Sequence, residues 1–97
     1  MTMPAAFLLL IAATVSSPAY TGQEYAKDAK IDIAHARQLA LRVRPGIVTD
    51  QELEPEGGGT GLRYSFDIKR RGKTYEVGVD ARTGRILENS KEGLNPD

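Results

Sequence analysis

The sequence contains no cysteine and a single histidine. Without cysteine there is no disulfide, no thiolate nucleophile and no lipid-modified cysteine anchor. One histidine, His35, cannot build a zinc site, which takes three or four ligands, so it reads as a surface side chain. Charge of one sign is also missing: 13 basic and 13 acidic residues cancel. A nucleic-acid-binding domain normally shows a basic excess, so that class is excluded. No apolar run reaches the roughly 20 residues of a membrane-spanning helix. Gly57, Gly58, Gly59 and Gly61 are not followed by Lys-Ser or Lys-Thr and open no helix, so they make no phosphate loop. No serine has an evident oriented base; Ser65 is most simply an outward strand residue.

The 97 residues allow one domain, with 40% apolar and 27% charged residues, as in ordinary small soluble domains. Small exported domains often use disulfides as staples. This chain must instead rely on a helix-on-sheet core, or on a partner. Residues 1–23 carry no charged side chain, and Ala5 to Val15 is an apolar run of 11 residues. That length fits the apolar region of a secretory leader, although no Lys or Arg precedes it. Ser17-Pro18-Ala19 places small residues where a signal peptidase reads, so residues 1–19 are expected to be a cleaved signal peptide. Export to the periplasm or medium follows, with no stable membrane anchor after cleavage. Residues 20–30, polar and without clear period, are expected to form a flexible lead-in.

A helix begins after Asp32, whose carboxylate can accept from a backbone N–H two or three residues on. Ile33, Ala36, Ala40 and Val43 recur at helical spacing, with Leu39 widening the stripe. Arg37, Gln38, Arg42 and Arg44 fall on the solvent side. Pro45-Gly46 ends the helix after about 12 residues, a length that is marginal alone and needs a sheet to cover. Ile47 to Leu53 is a poorly alternating first strand. Glu56 to Gly61 is a flexible hairpin loop. Leu62, Tyr64, Phe66 and Ile68 alternate with Arg63, Ser65, Asp67 and Lys69, the strongest strand pattern in the chain. Arg70-Arg71-Gly72 turns the chain into Lys73 to Val79. Asp80 to Gly84 supplies turn chemistry, with an Asp that can bond local backbone and a Gly that can take positive φ. Arg85 to Glu88 makes a short last strand, and residues 89–97 a polar tail.

These periods give a core of Ile33, Ala36, Leu39, Ala40 and Val43 from the helix. Leu62, Tyr64, Phe66, Ile68, Tyr75, Val77, Val79, Ile86 and Leu87 join it from the sheet. Arg63, Ser65, Asp67, Lys69, Glu76 and Gly78 fall on the opposite face, toward solvent or a partner. Asp50, Glu52, Glu54 and Glu56 alternate along one strand face. A straight strand does not converge the six to eight oxygens of a calcium site, so this row is expected to be a solvated edge that discourages aggregation. Glu52 and Glu54, with the basic hairpin tip at Lys69, Arg70, Arg71 and Lys73, are the candidate partner contacts.

The order helix, Pro45-Gly46, Glu52-Leu53-Glu54, Tyr64-x-Phe66-Asp67, Gly72, Tyr75-x-Val77-x-Val79-Asp80-Ala81-x-Thr83-Gly84-x-Ile86-Leu87 resembles the PepSY domain family. Ala36 and Ala40 match within the helix. The resemblance covers residues 31–88, and Asp-Ala-x-Thr-Gly is its most specific element. It implies an α+β fold, one α-helix on an antiparallel β-sheet of three to four strands. It also implies a link to the inhibition and chaperoning of thermolysin-type peptidases, since such domains occur in their propeptides as well as alone in exported bacterial proteins. No protease accompanies the domain in this sequence, so the expected role is in trans. Gly78 stands where the family usually has a larger residue, which permits close approach there. The expectation is a non-enzymatic exported module without cofactor or metal. It would bind another protein, a peptidase in the first instance, by strand addition at a sheet edge. A periplasmic sensory or accessory domain for a small ligand or ion is the alternative.

Overall fold

The computed structural model describes residues 19–93. The expected leader, apart from Ala19, and residues 94–97 of the tail lie outside them. The element order is a 3-10 helix (Gln23–Asp28), α1 (Ile33–Val43), β1 (Ile47–Pro55), β2 (Leu62–Arg70), β3 (Lys73–Asp80) and β4 (Ile86–Lys91). The four strands form one antiparallel sheet in the order β1-β2-β3-β4. One face carries α1, which is the α+β arrangement the sequence implies.

Local chemistry explains these boundaries. The Asp32 side chain accepts from the His35 N–H at 2.8 Å and so starts α1. Arg44, extended at φ −145°, ends it just before Pro45. Arg71 and Gly72, both at positive φ (53° and 77°), form the two-residue turn that matches strand twist between β2 and β3. The last turn closes when the Gly84 N–H, at φ 80°, donates to the Asp80 carbonyl at 2.9 Å.

The buried core joins Ile33, Ala36 and Ala40 of α1 to Leu53, Leu62, Tyr64, Phe66, Ile68, Val77, Val79 and Ala81. Alanine at positions 36 and 40 lets the helix backbone approach the sheet closely. Two of these residues, Leu53 and Ala81, have no place in the sequence-derived core. Val43 does have one, yet it is 40% exposed. It sits in the last helical turn, past the alanine contacts, where Arg44 makes the connection to the sheet instead. The Arg44 guanidinium lies 4.0 Å from the Tyr75 ring centroid, and its Nε donates to Asn89 Oδ1 at 2.9 Å. Arg44 is therefore a tie between helix and sheet rather than a solvent-side residue. Tyr75, Ile86 and Leu87 are half-buried.

The segment 20–30, expected as a flexible lead-in, carries the 3-10 helix and packs on the domain. The Tyr20 ring meets Tyr64 edge-on, with centroids 6.3 Å apart. Thr21 bridges to Glu52 in parallel, and its carbonyl accepts from the Leu53 N–H at 2.8 Å. Part of the outer edge of β1 is thus covered by the chain's own N-terminal segment. β4 also runs three residues into the expected tail, because Asn89, Ser90 and Lys91 pair with Val77, Glu76 and Tyr75. In hydrogen–deuterium exchange, the Leu53 amide should be protected like an interior sheet amide, and Tyr20→Ala should lower that protection. Rapid exchange at Leu53 in the unmodified chain would contradict this docking.

Candidate functional site

Asp80 is only 1% exposed, and its carboxylate is fully engaged. Oδ1 accepts from the Arg82 N–H (2.8 Å), the Thr83 N–H (3.0 Å) and the Thr60 hydroxyl (2.9 Å), while Oδ2 accepts from the Thr60 N–H (2.7 Å). Burial alone would raise its pKa. The backbone N–H groups of Thr60, Arg82 and Thr83 and the Thr60 hydroxyl outweigh that and hold it at about 2, against an ordinary 3.8. Next in sequence, the Ala81 N–H donates to the Leu62 carbonyl, and the Ala81 carbonyl accepts from the Lys30 and Ile31 N–H groups. The Arg82 guanidinium donates to the Thr60 and Asp28 carbonyls at 2.8 and 3.0 Å. The Asp-Ala-x-Thr-Gly element is therefore a four-way splice of the β3–β4 turn, the β1–β2 loop, the 3-10 helix and the entry to α1. Thr60, which has no role in the sequence reading beyond a flexible loop, is the partner that joins that loop to Asp80.

The sheet face opposite α1 carries three cross-strand rows with carboxylates, and beyond them Lys69 stands between Ile47 and Thr74. Glu54 faces Arg63, which faces Asp80; Glu52, Ser65, Gly78 and Glu88 form the next row; Asp50, Asp67, Glu76 and Ser90 form the third. Arg63, expected to point to solvent, is buried at 7% exposure. Its guanidinium folds down over Gly78, donating to Glu88 Oε1 at 3.2 Å and to the Gly57 carbonyl at 3.0 Å. A Cβ at position 78 would lie 2.9 Å from Arg63 Nη1, so glycine is what lets the arginine lie flat. This is the close approach that Gly78 permits. The Ser65 hydroxyl donates to Glu54 Oε2 at 2.9 Å, which settles a buried polar group and leaves no hydroxyl–imidazole pair.

The remaining carboxylates of this face are crowded. Burial first, then the charges of Glu92, Asp50 and Glu52, push the Asp67 carboxyl up. Burial followed by Glu88, Asp67 and Glu92 does the same to Glu76. Glu54 is raised by burial and by Glu52, against the lowering effect of its Ser65 hydrogen bond. Asp67, Glu76 and Glu92 bring carboxylate oxygens within 4.8 Å of one another. The sequence row Asp50, Glu52, Glu54, Glu56 does not show this grouping, because it depends on the β2–β3 register and on the path after β4. Three such oxygens are half or fewer of the six to eight that calcium takes. Tyr64, whose hydroxyl donates to the Ile31 carbonyl at 2.8 Å, has its pKa pushed up to about 12 by burial and then by Tyr20 and Asp32.

The other sequence-derived residues fall into place around this frame. Tyr64, Phe66, Val77, Val79 and Ala81 are core. Pro45 and Gly46 connect α1 to β1, and the Pro45 carbonyl accepts from Arg70 at 3.4 Å. Thr83 and Gly84 complete the Asp80 turn. Glu52 and Glu54 stand on the acidic face, whereas Lys69 and Arg71 are exposed at the far hairpin tip. The two groups of candidate partner contacts do not meet in one site. His35 is exposed on the first turn of α1.

A single α-helix covers one face of a four-stranded meander whose last turn is locked by the buried Asp80, and the opposite, acidic face carries no helix. The chain belongs to the PepSY family: the family model described as peptidase propeptide and YPEB domain matches residues 30–89. Comparison with curated proteins and with solved structures gave no match. The matched span covers α1, all of β1 to β3 and β4 as far as Asn89, so it includes Asp80 with its Thr60, Arg82 and Thr83 partners, while Asp28 of the 3-10 helix and Glu92 lie outside it.

The electrostatics give a pH profile with opposite limbs. Glu54, Asp67 and Glu76 have folded pKa values above their ordinary ones, so the folded state takes up protons first and stability rises as pH falls from neutral toward 4.5. Asp80 has a folded pKa below its unfolded value, so its contribution is present above 3.8 and is lost as pH falls toward about 2. Asp80→Asn should cost about 2–3 kcal/mol, a fall in Tm on the order of 10–20 °C, because an amide presents an NH2 to backbone donors. The variant should also lose much of the drop in stability between pH 3.8 and 2. Thermal unfolding across pH checks both; an unchanged Tm with an unchanged acid limb would refute the assignment.

Proposed function

We propose that this chain is an exported, non-enzymatic PepSY module that binds another protein and restrains peptidase activity in the cell envelope. The observation that carries the reading is the family match over residues 30–89, whose description is that of a peptidase propeptide. Export is supported by the apolar run Ala5 to Val15 and the small residues Ser17-Pro18-Ala19. A binding rather than catalytic role is supported by how the polar groups are used. The buried Asp80 carboxylate is spent on backbone N–H groups, and Ser65 is paired to Glu54. Two surfaces remain for a partner, the acidic face and the outer edge of β4. The latter suits strand addition, since β1 already holds Thr21 on its outer edge.

Two measurements test this proposal together. Expressed with its leader in a bacterial host, the chain should appear outside the cytoplasm with an N-terminus near Tyr20. The purified protein should then lower casein hydrolysis by a thermolysin-type metalloprotease of the same envelope, saturating with added protein. An intact Met1 in the cytoplasm, or undiminished proteolysis at large excess, would overturn the reading.

A further inference from the structure

A groove of about 380 Å³ opens between α1 and the outer edge of β1, lined by Ala19, Arg37, Val48, Thr49, Asp50 and Gln51. Its polar groups stand in series. The half-buried Arg37 donates from Nη1 to Gln51 Oε1 at 3.5 Å, and the buried Gln51 donates from Nε2 to the Ala19 carbonyl at 3.4 Å. A cation behind an amide thus polarises a donor aimed at one oxygen. Among the described residues Arg37 has no carboxylate partner. Register separates this donor set from the acidic face: Gln51 pairs with Phe66 on the α1 side, whereas Asp50 pairs with Asp67 on the other. Direction is fixed as well. Thr21 bridges Glu52 in parallel and its carbonyl accepts from the Leu53 N–H, so Ala19 to Thr21 run alongside β1 in the same sense. Continued backward from Ala19, that line follows Asp50, Thr49 and Val48 along the groove.

From this geometry we infer that, once the leader is cut after Ala19, the groove is a binding site for the free carboxyl end of an extended peptide. The incoming peptide runs parallel to β1 and ends where Ala19 sits. Its terminal carboxylate takes the place of the Ala19 carbonyl, accepts from the Gln51 amide, and lies beside the Arg37 guanidinium and the new Tyr20 ammonium. This rests on the proposed cleavage after Ala19, and it gives the regulator a ligand, since new carboxyl ends are what a peptidase produces. Charge selects that occupant. A chain passing through the groove offers a neutral carbonyl, whereas a chain end offers a full negative charge, and charge-assisted hydrogen bonds are about twice as strong. A free inorganic anion would meet the same donors but not the outer-edge backbone of β1, which an extended peptide can pair with as Thr21 does. The half-buried Val48 adds an apolar contact for that peptide.

Fluorescence anisotropy on the exported chain that begins at Tyr20 tests the inference. The probe is an N-terminally labelled pentapeptide, Gly-Val-Thr-Val-Ala, as free acid and as carboxamide. A second pair ending Ser-Ser-Pro-Ala carries the end that the cut leader leaves, and tells that source of the carboxylate from other peptides. At least one acid should bind, and its amide about tenfold more weakly. Arg37→Gln should remove most of the difference between acid and amide while leaving amide binding and Tm unchanged, since Arg37 holds no ion pair among the described residues. The uncut chain, whose own Ala19 carbonyl fills the position, should bind the acid about tenfold more weakly than the cut one. Binding of neither acid, equal binding of acid and amide, an acid preference that survives Arg37→Gln, or equal binding by the uncut chain would overturn the inference. Failure of the proposed function reads differently. If the host leaves the leader on, the same titration on a chain expressed from Tyr20, which keeps every residue of the core, still decides the site. Acid-selective binding without any effect on proteolysis would leave the site standing and remove the peptidase regulator.

Discussion

The Asp80 carboxylate is the contact through which the separate parts of this small domain hold one another. A 97-residue chain without cysteine has no covalent staple, and its helix is short. The helix stays folded because it covers a sheet, and the sheet keeps its shape because its turns are fixed. Asp80 fixes one of them directly, through Arg82 and Thr83, and reaches across to the β1–β2 loop through Thr60. The flanking Ala81 ties the same point to β2 and to the start of α1. A buried carboxylate without partners would be costly. One that accepts from three backbone N–H groups and a hydroxyl is stabilising, because those donors would otherwise be unsatisfied in the fold.

The two faces of the sheet follow from that frame. On the α1 side, alternation puts Tyr64, Phe66, Ile68, Val77 and Val79 under Ile33, Ala36 and Ala40, and the interior is apolar. On the other side, the same alternation brings carboxylates from all four strands together, and burial plus mutual repulsion raise several of them. The domain thus tolerates unfavourable electrostatics on one surface while the Asp80 network holds the fold. That crowding is confined to the face that carries no helix, away from the apolar core.

Much of this was legible in the sequence, for identifiable reasons. The alternation from Leu62 to Lys69, the Asp32 cap and the Pro45-Gly46 stop are local signals, and the helix-on-sheet arrangement follows from them. The turn at Asp80 was also legible as a turn, since Asp and Gly act on backbone within a few residues. What was not legible depends on contacts distant in sequence. Thr60 lies 20 residues from Asp80, and nothing in a glycine-rich loop marks it as that carboxylate's partner. Arg63 looks outward by period, yet Gly78 and Glu88 on other strands fold it down and bury it. Arg44 lies in the polar set of the helix, and only the position of Tyr75 turns it into a tie. The Asp67, Glu76 and Glu92 grouping likewise needs strand register, which composition does not encode.

The most direct measurement is the pKa of Asp80 itself, followed through its side-chain carboxyl carbon by NMR as the folded protein is titrated with acid. The account predicts an ionised carboxylate through the ordinary range, with a midpoint at about 2. Its titration should coincide with the loss of the Thr60, Arg82 and Thr83 amide shifts that report the shared hydrogen bonds. A midpoint at or above 3.8, with those three amides unmoved, would contradict it, because the carboxylate would then be neither buried against those donors nor the junction of the fold.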